Sequence, residues 1–306
     1  MKRLDKVRSC GGADEVCARG DGLSAGGEAE LSREALGPFL AGERMGDVRV
    51  YGSVDSTNNV LKGLAADGAP GGTVVLADGQ SGGRGRRGRS FVSPAGVGVY
   101  LSYLFKPEGG FEKLAALTGW TAVAVADAIR AACGVEARIK WVNDLLVNGK
   151  KVGGILTEAM VTGGSGAVDA CVIGIGVNVN DATGDFPPEL AGIATSLSME
   201  CGGKSFCRSR LAAEIIWAMD VLAAKWPDDG SYLQRYRELG VTAGSRITAY
   251  PQMLENGGGR TGTALAVNDD FSLKVEFDDG SVENLGSGEV SVRGLCGCDG
   301  NEGFGG

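Results

Sequence analysis

Four arginines and three glycines fill the seven positions from Gly83 to Arg89, in a chain of 306 residues with a net charge of -8. Glycine lets backbone N–H groups approach a ligand closely, and arginine offers a planar set of donors that matches carboxylate or phosphate oxygens. A dense cationic loop in an acidic protein therefore predicts a binding site for a small anion. The alternative for so short a run is a basic nucleic-acid or targeting patch.

The composition restricts the chemistry that this loop could serve. An isoelectric point near 4.8 argues against extensive binding to DNA or RNA, which usually needs a broad basic face. The sequence contains no histidine, which excludes Ser-His-Asp and Cys-His mechanisms. Catalysis must then use lysine, arginine, carboxylates, a metal ion or the substrate itself.

The sequence also indicates where the protein works. It has no apolar run of about 18 residues and no apolar segment in its first residues, so we expect neither a membrane anchor nor a signal peptide. Eight cysteines without a dense pattern fit a reducing compartment, and we predict a cytoplasmic protein. The pair Cys296 and Cys298 is weak support for zinc because no histidine and no second close pair accompany it.

Periodicity predicts four regions along the chain. Residues 1–44 read as a disordered lead-in followed by a short helix over Leu31–Leu40, and residues 45–240 as an α/β catalytic domain. Residues 241–295 show short alternating strands separated by polar turns, which is typical of a small all-β domain, and 296–306 form a tail. Long helices are expected over Phe111–Cys133 and around Leu211–Trp226, and Asn148-Gly149 predicts a two-residue hairpin turn.

Five segments between Val48 and Arg293 carry the polar and charged residues. They are Asp55-Ser56-Thr57-Asn58, Gln80 with the Arg/Gly loop, Lys140-Trp141-Val142-Asn143-Asp144, Lys151-x-Gly-Gly-Ile-Leu and Ile173-Gly174-Ile175-Gly176-Val177-Asn178. In this order and spacing they resemble the biotin protein ligases. The resemblance implies a mixed sheet backed by helices, similar to class II synthetases, followed by an SH3-like barrel. It also implies that ATP, Mg²⁺ and biotin give biotinyl-5′-adenylate, whose biotinyl group passes to a lysine of a biotin carboxyl carrier protein.

The resemblance assigns roles to individual residues. It places Lys151 at the biotin carboxylate and bridging oxygen, Arg86 in the loop that retains the adenylate, and Asp144 near the nucleotide as the acceptor of the incoming lysine's proton. The residues expected to contact biotin are Ser56, Thr57, Asn58, Gln80, Arg84, Gly85, Arg86, Arg87, Lys151, Gly154 and Gly174. Those expected to contact the nucleotide are Arg89, Lys140, Asn143, Asn178 and Arg293, and Asn143 with Asp144 is the expected Mg²⁺ site.

The residue chemistry agrees with these assignments and leaves some alternatives. Neutral donors and acceptors suit a ureido group, and fixed cations hold two repelling anionic reactants together. Asn58 could instead cap a helix that begins at Asn59, and Lys150 is expected to be a solvated neighbour. The chain departs from the family at Phe91, where tryptophan is usual, and at Val142, where proline is usual.

Two other functions compete with ligation of biotin. A biotin-responsive repressor would need an N-terminal winged helix, and the segment before Val48 is too short and glycine-rich for one, so we expect no DNA contact. A lipoate- or octanoate-type protein acyltransferase shares the implied architecture but is not expected to show the Arg/Gly run. A homodimer is possible.

Overall fold

The computed structural model describes residues 31–106, 114–161, 168–227, 230–251, 259–286 and 290–294. Its main sheet contains seven strands: β1 (Val48–Val54), β2 (Val74–Gln80), β3 (Gly98–Phe105), β4 (Arg138–Lys140), β5 (Asp144–Val147), β6 (Lys150–Met160) and β7 (Ala170–Asn178). Their order is β1-β2-β3-β7-β6-β5-β4. The β1–β2 pair is parallel and every other pair is antiparallel, so the sheet is mixed, as the sequence predicted.

Helices cover the two faces of this sheet unequally. They are α1 (Arg33–Leu36), α2 (Gly42–Met45), α3 (Thr57–Ala66), α4 (Leu114–Cys133), α5 (Leu197–Glu200), α6 (Arg208–Lys225) and α7 (Gly230–Leu239). The long helices α4 and α6 pack together on one face, where Ile173, Ile175 and Val177 of β7 are fully or almost fully buried. The chain leaves α4 at Gly134, whose φ of 71° suits glycine.

The opposite face is covered only in part. Helix α3 packs Leu61 on Leu104 and Val172, and these side chains form a second, smaller apolar cluster. The next positions along β7 on this face, Gly174 and Gly176, have no side chains. A cleft is therefore left beside the N-terminus of α3.

A second sheet follows the main one in the sequence. It consists of β8 (Arg246–Pro251), β9 (Arg260–Val267), β10 (Leu273–Phe277), β11 (Val282–Leu285) and β12 (Val290–Gly294), in the order β11-β10-β9-β8-β12. All its pairs are antiparallel, and its inward residues alternate with exposed ones along β10. This small antiparallel sheet is consistent with the predicted SH3-like barrel.

Several local predictions need correction. The single helix expected over Leu31–Leu40 is wrong: α1 ends at Leu36, because Pro38 has no N–H to continue the hydrogen-bond ladder, and α2 is separate. The alternative that Asn58 caps a helix beginning at Asn59 is wrong: the helix α3 begins at Thr57, and Ser56 is its N-cap residue. The Asn148-Gly149 turn is confirmed, with φ of 50° and 79° between β5 and β6.

Some predictions fall outside the described residues. These include the lead-in before residue 31, the tail after residue 294 and the cysteines Cys10, Cys17, Cys296 and Cys298. Within the described ranges, no helix combines the length and the apolar character needed to cross a membrane.

Candidate functional site

A cleft opens on the α3 side of the main sheet. It encloses about 490 Å³ of empty space, including solvent at its mouth. Its walls come from the start of α3, the Arg/Gly loop, the residue before β5, and strands β2, β6 and β7. The predicted site residues that line it are Ser56, Thr57, Asn58, Gln80, Arg84, Gly85, Arg86, Asn143, Lys151, Gly154 and Gly174. The structure thus gathers most of the predicted site.

The cleft exists because its floor is built from glycine. Gly154 pairs with Gly176 across β6 and β7, and Gly174 lies two residues further along β7 on the same face. A Cβ atom on Gly174 would stand 2.5 Å from Asn58 Oδ1, and one on Gly176 would stand 2.6 Å from Phe91 Cε1. Any larger residue at these two positions would displace a wall of the cleft.

Neutral polar groups form the end of the cleft nearest β2. The backbone N–H of Thr57 donates to Gln80 Oε1 at 2.9 Å, and Gln80 Nε2 donates to Ser93 Oγ at 2.9 Å. Ser56, Thr57 and Asn58 are all buried at the N-terminus of α3. These contacts hold the amide of Gln80 in one orientation. A polar group fixed in this way can orient a neutral polar part of a ligand.

The Arg/Gly loop folds back on itself beside this end. Gly85 N–H donates to the Arg89 carbonyl at 2.7 Å and Phe91 N–H donates to the Gly83 carbonyl at 2.9 Å. A Cβ atom on Gly83 would overlap the Phe91 carbonyl oxygen, so the closure requires glycine there. Arg87 lies in the left-handed region with φ of 60°.

Arginine side chains extend from this loop across the cleft. Arg86 Nη1 donates to Asn143 Oδ1 at 3.0 Å, and Arg84 Nη2 lies 3.0 Å from Glu158 Oε1. Burial lowers the pKa of the Arg86 guanidinium, and the charge of Arg87 acts in the same direction. Arg86 is thus a partly desolvated cation, which strengthens its attraction for an anionic ligand.

Lys151 supplies a further cation from β6. Its Nζ lies 2.6 Å from Asp144 Oδ1, whereas the adjacent Lys150 is exposed and its Nζ lies 3.5 Å from Glu200 Oε1. The pairing of β5 with β6 shifts at this point: Leu145 faces Gly153, but Leu146 faces Lys151. This bulge inserts one extra residue in β6 and directs Lys151 toward the same side as Gly154.

The expected Mg²⁺ site fits only in part. Asn143 and Asp144 offer one amide oxygen and one carboxylate, and each is bonded to a cation here, Arg86 and Lys151 respectively. Mg²⁺ often takes one or two carboxylates together with substrate phosphates and water. Within the described residues, no group of three metal-binding side chains is present. Any Mg²⁺ held here would take most of its ligands from a bound nucleotide and solvent.

Some predicted residues lie outside the cleft lining. Asn178 is buried, and its Nδ2 donates to the Thr195 carbonyl at 3.0 Å. Arg87 and Arg89 belong to the loop, Lys140 lies on β4, and Asp144 reaches the site through Lys151. The side chain of Arg293 falls outside the described part of the structure.

The structure adds residues that the sequence did not single out. Ser102 and Glu158 contact Asn58 from β3 and β6, behind the lining. The hydroxyl of Tyr236 is buried and has no hydrogen-bond partner among the described residues. Burial raises the pKa of Tyr236, and the charge of Asp144 acts in the same direction. Tyr236 shows no distinguishing signal in the sequence.

The cleft places neutral polar groups at the end nearest β2 and the cations Arg86 and Lys151 toward its other end, an arrangement that suits an elongated acid. Residues 50–178 match the profile of the Biotin/lipoate A/B protein ligase family. The chain is 44% identical over 176 residues to the bifunctional ligase/repressor BirA of Bacillus spizizenii, covering 57% of this chain and 54% of that protein. It therefore spans about half the length of that relative.

Two further comparisons extend the match along the chain. The biotin--[acetyl-CoA-carboxylase] ligase of Mycobacterium tuberculosis is 31% identical over 216 residues, covering 68% of this chain and 76% of the relative. The structure of the biotin protein ligase from Aquifex aeolicus in complex with biotin and ATP superimposes with a TM-score of 0.67 at 25% identity, covering 81% of this chain and 98% of that one. The chain belongs to the Biotin/lipoate A/B protein ligase family.

Proposed function

We propose that this protein is an ATP-dependent biotin protein ligase. It joins biotin to AMP with release of pyrophosphate, and then transfers the biotinyl group to a lysine of a biotin carboxyl carrier protein. The partner is the carrier of acetyl-CoA carboxylase or of a related carboxylase, in the cytoplasm, without DNA or membrane contact.

One observation carries the proposal: neutral and cationic groups lie at opposite sides of one cleft. Gln80 ends β2 and the cation Lys151 lies near the start of β6, with β3 and β7 between them. Three strand spacings of ~4.8 Å place these two strands ~14 Å apart. Biotin has a neutral ureido head, an apolar body and a carboxylate tail, so an extended molecule of this kind suits the arrangement.

The first step needs two anions to meet. An oxygen of the biotin carboxylate attacks the α-phosphorus of ATP, the new oxygen–phosphorus bond forms, and the bond to the departing pyrophosphate breaks. Arg86 and Lys151 bring positive charge to this side of the site before the reaction, which lowers the cost of bringing the anions together. Asn143, bonded to Arg86, keeps that guanidinium in the cleft.

The second step transfers the acyl group to an amine. The carrier lysine must lose a proton before its nitrogen attacks the acyl carbon, and AMP leaves as the amide bond forms. Asp144 is the carboxylate nearest to Lys151, and we assign it as the acceptor of that proton. Binding of the biotin carboxylate to Lys151 would release Asp144 from its present ion pair.

Mass spectrometry of a carrier domain tests the whole proposal. The domain is incubated with the protein, biotin and Mg-ATP, and we expect one biotinyl addition on one carrier lysine. A carrier domain with that lysine replaced by arginine should gain no mass. Addition of lipoyl or octanoyl groups, with none from biotin, would select the acyltransferase alternative instead.

A further inference from the structure

Five side chains at the neutral end of the cleft form a continuous chain of hydrogen bonds that ends on a carboxylate. In order they are Gln80, Thr57, Ser102, Asn58 and Glu158. Thr57 Oγ1 lies 3.1 Å from Gln80 Oε1, and Ser102 Oγ lies 2.8 Å from Thr57 Oγ1 and 2.5 Å from Asn58 Oδ1. Asn58 Nδ2 donates to Glu158 Oε2 at 2.8 Å. Ser102 and Glu158 do not line the cleft, so they can act on a ligand only through the other three.

The carboxylate sets the direction of the bonds that run from Asn58 through Ser102 to Thr57. An ionised carboxylate only accepts, so the amide nitrogen of Asn58 must face Glu158 and its oxygen must face Ser102. An amide oxygen also only accepts, so the single hydroxyl proton of Ser102 is committed to Asn58. The proton of Thr57 then goes to Ser102 Oγ at 2.8 Å, which is closer than Gln80 Oε1 at 3.1 Å, an oxygen that already accepts the Thr57 backbone N–H. The Thr57 hydroxyl is left with lone pairs, and no proton, for the cleft.

Cations on the other oxygen keep Glu158 ionised. Lys62 Nζ and Arg84 Nη2 lie 2.7 Å and 3.0 Å from Glu158 Oε1, which leaves Oε2 to Asn58. Burial alone would raise the pKa of Glu158, but the hydrogen bonds from Lys62 and Asn58 outweigh it and hold that pKa below its usual value. The carboxylate is therefore an acceptor at neutral pH.

We propose that Glu158 is a positioning residue for ligand specificity, which orients Asn58 and, through Ser102, commits the Thr57 hydroxyl to accept a hydrogen bond from a ligand N–H. The inference rests on the proposed function, because the ureido head of biotin supplies such an N–H group. A ligand with an oxygen in place of this N–H would bring its lone pairs against those of the Thr57 hydroxyl oxygen, and the two would repel. Glu158 thus selects for an N–H donor without touching the ligand.

The test compares biotin with its two cyclic carbamate analogues, in each of which a ring oxygen replaces one ureido N–H. Pyrophosphate release at saturating Mg-ATP gives kcat and KM for each acid. We expect the wild type to discriminate against at least one analogue. In Glu158→Gln the new amide can donate, Asn58 can turn over, and Thr57 regains a proton for the cleft. The ratio of kcat/KM between biotin and that analogue should fall about tenfold, through KM rather than kcat.

Matched variants separate orientation from general damage. Lys62→Met removes a cation from Glu158 Oε1 but leaves the Asn58 bond intact, so the ratio should stay within about twofold of wild type. Ser102→Ala breaks the hydrogen-bond chain between Glu158 and Thr57. It should lower the ratio of kcat/KM between biotin and the analogue as Glu158→Gln does. It also decides the question if Glu158→Gln fails to fold. The double variant Glu158→Gln with Asn58→Asp places a carboxylate at position 58. This carboxylate only accepts hydrogen bonds, so Ser102 must again donate to it, and the ratio of kcat/KM should return toward the wild-type value.

Several outcomes would overturn the inference. The first is that Glu158→Gln and Ser102→Ala both keep the wild-type ratio of kcat/KM between biotin and the analogue. The second is that Lys62→Met lowers this ratio as much as Glu158→Gln does. The third is that the wild type uses biotin and both analogues equally well. A wild-type protein that releases no pyrophosphate with biotin would instead overturn the proposed function. The two failures are therefore distinguishable.

Discussion

At the residue scale, the proposed chemistry depends on which of two adjacent lysines enters the cleft. Lys151 lies beside Asp144 in the cleft, and Lys150 lies outside it beside Glu200. Successive residues of a strand point to opposite faces, so only one of the pair can reach the ligand. The strand alternation expected from the sequence agrees with this placement.

We expect Lys151→Ala to reduce adenylate synthesis far more than Lys150→Ala. Loss of a fixed charge at a reacting centre commonly costs about two to three orders of magnitude in rate, by analogy with oxyanion-hole deletions. Lys150→Ala is the matched control and should change the rate little, since the Lys150 side chain is exposed and lies outside the cleft lining. Steady-state pyrophosphate release measures both, with folding checked by circular dichroism. Equal losses would contradict the assignment of Lys151.

A buried carboxyl group outside the cleft predicts a pH dependence of stability. Asp181 is 1% exposed, and burial raises its pKa to about 6, with the charge of Asp185 adding to the rise. Arg208 acts in the opposite direction. The stability that protonated Asp181 contributes is fully present below its unfolded pKa and is lost as pH rises through about 6.

The variant Asp181→Asn should not suffer that loss. Relative to wild type, its free energy of unfolding should rise by ~1–3 kcal/mol between about pH 4.5 and about pH 7.5. Urea denaturation at the two pH values measures the difference, and the other titrating groups cancel between the proteins. A constant difference between variant and wild type would show that Asp181 is ionised in the folded protein throughout this range.

At the element scale, the sequence predicts where the strands lie better than it predicts the register in which they pair. Alternation places Lys151 and Gly153 on one face, but the bulge in β6 places Lys151 with Gly154 instead. The segment Val152-Gly153-Gly154 has too little side-chain pattern to reveal an extra residue. The bulge becomes visible only when β6 is paired with β5.

The residues behind the cleft, Ser102 and Glu158, also become recognisable only from the pairing of strands in the structure. Thr57, Gln80 and Lys151 belong to recognisable segments, so they could be predicted. Ser102 and Glu158 read as ordinary strand residues, because their importance comes from pairing and packing: Ser102 faces Gly174 across β3 and β7, and Glu158 faces Val172 across β6 and β7. Sequence spacing predicted most of the residues that line the cleft but not those that lie behind the lining and orient them.

The Arg/Gly loop should be mobile without ligand and ordered by biotin and ATP. Four like charges and three glycines disfavour a compact form until an anion neutralises them. Limited trypsin digestion should cut within Arg84–Arg89 in the free protein and more slowly with both ligands present. Cleavage after the exposed Arg130 on α4 provides the control for general protection. Unchanged cleavage in the loop would show that it does not close over the ligand.

At the scale of the whole molecule, two contacts between described residues join the small sheet to the helices of the main sheet. Arg237 of α7 donates to the Val267 carbonyl of β9 and pairs with Asp269, and Phe271 makes the second contact. Phe271, between β9 and β10, packs edge-on against Tyr236 of α7 at a centroid distance of 5.2 Å. Its carbonyl accepts a hydrogen bond from Trp141 Nε1 at 3.0 Å, and Trp141 N–H donates to Thr242 Oγ1 at 2.8 Å. Trp141 is two residues before Asn143. The position of the small sheet is thus coupled to the position of the cleft wall.

Two helix glycines test whether the Phe271 contact stabilises the whole chain. An alanine in place of a helix-interior glycine usually stabilises by ~0.5–1 kcal/mol. Gly63 of α3 is exposed with open space around it, so Gly63→Ala should give that gain. A Cβ atom on Gly119 of α4 would overlap the Phe271 ring and stand 3.3 Å from Tyr236 Cε2, so Gly119→Ala should destabilise by ~1–3 kcal/mol as the small sheet is pushed away. Urea denaturation followed by tryptophan fluorescence measures both signs. A gain at Gly119 equal to that at Gly63 would mean that Phe271 does not hold the small sheet against α4.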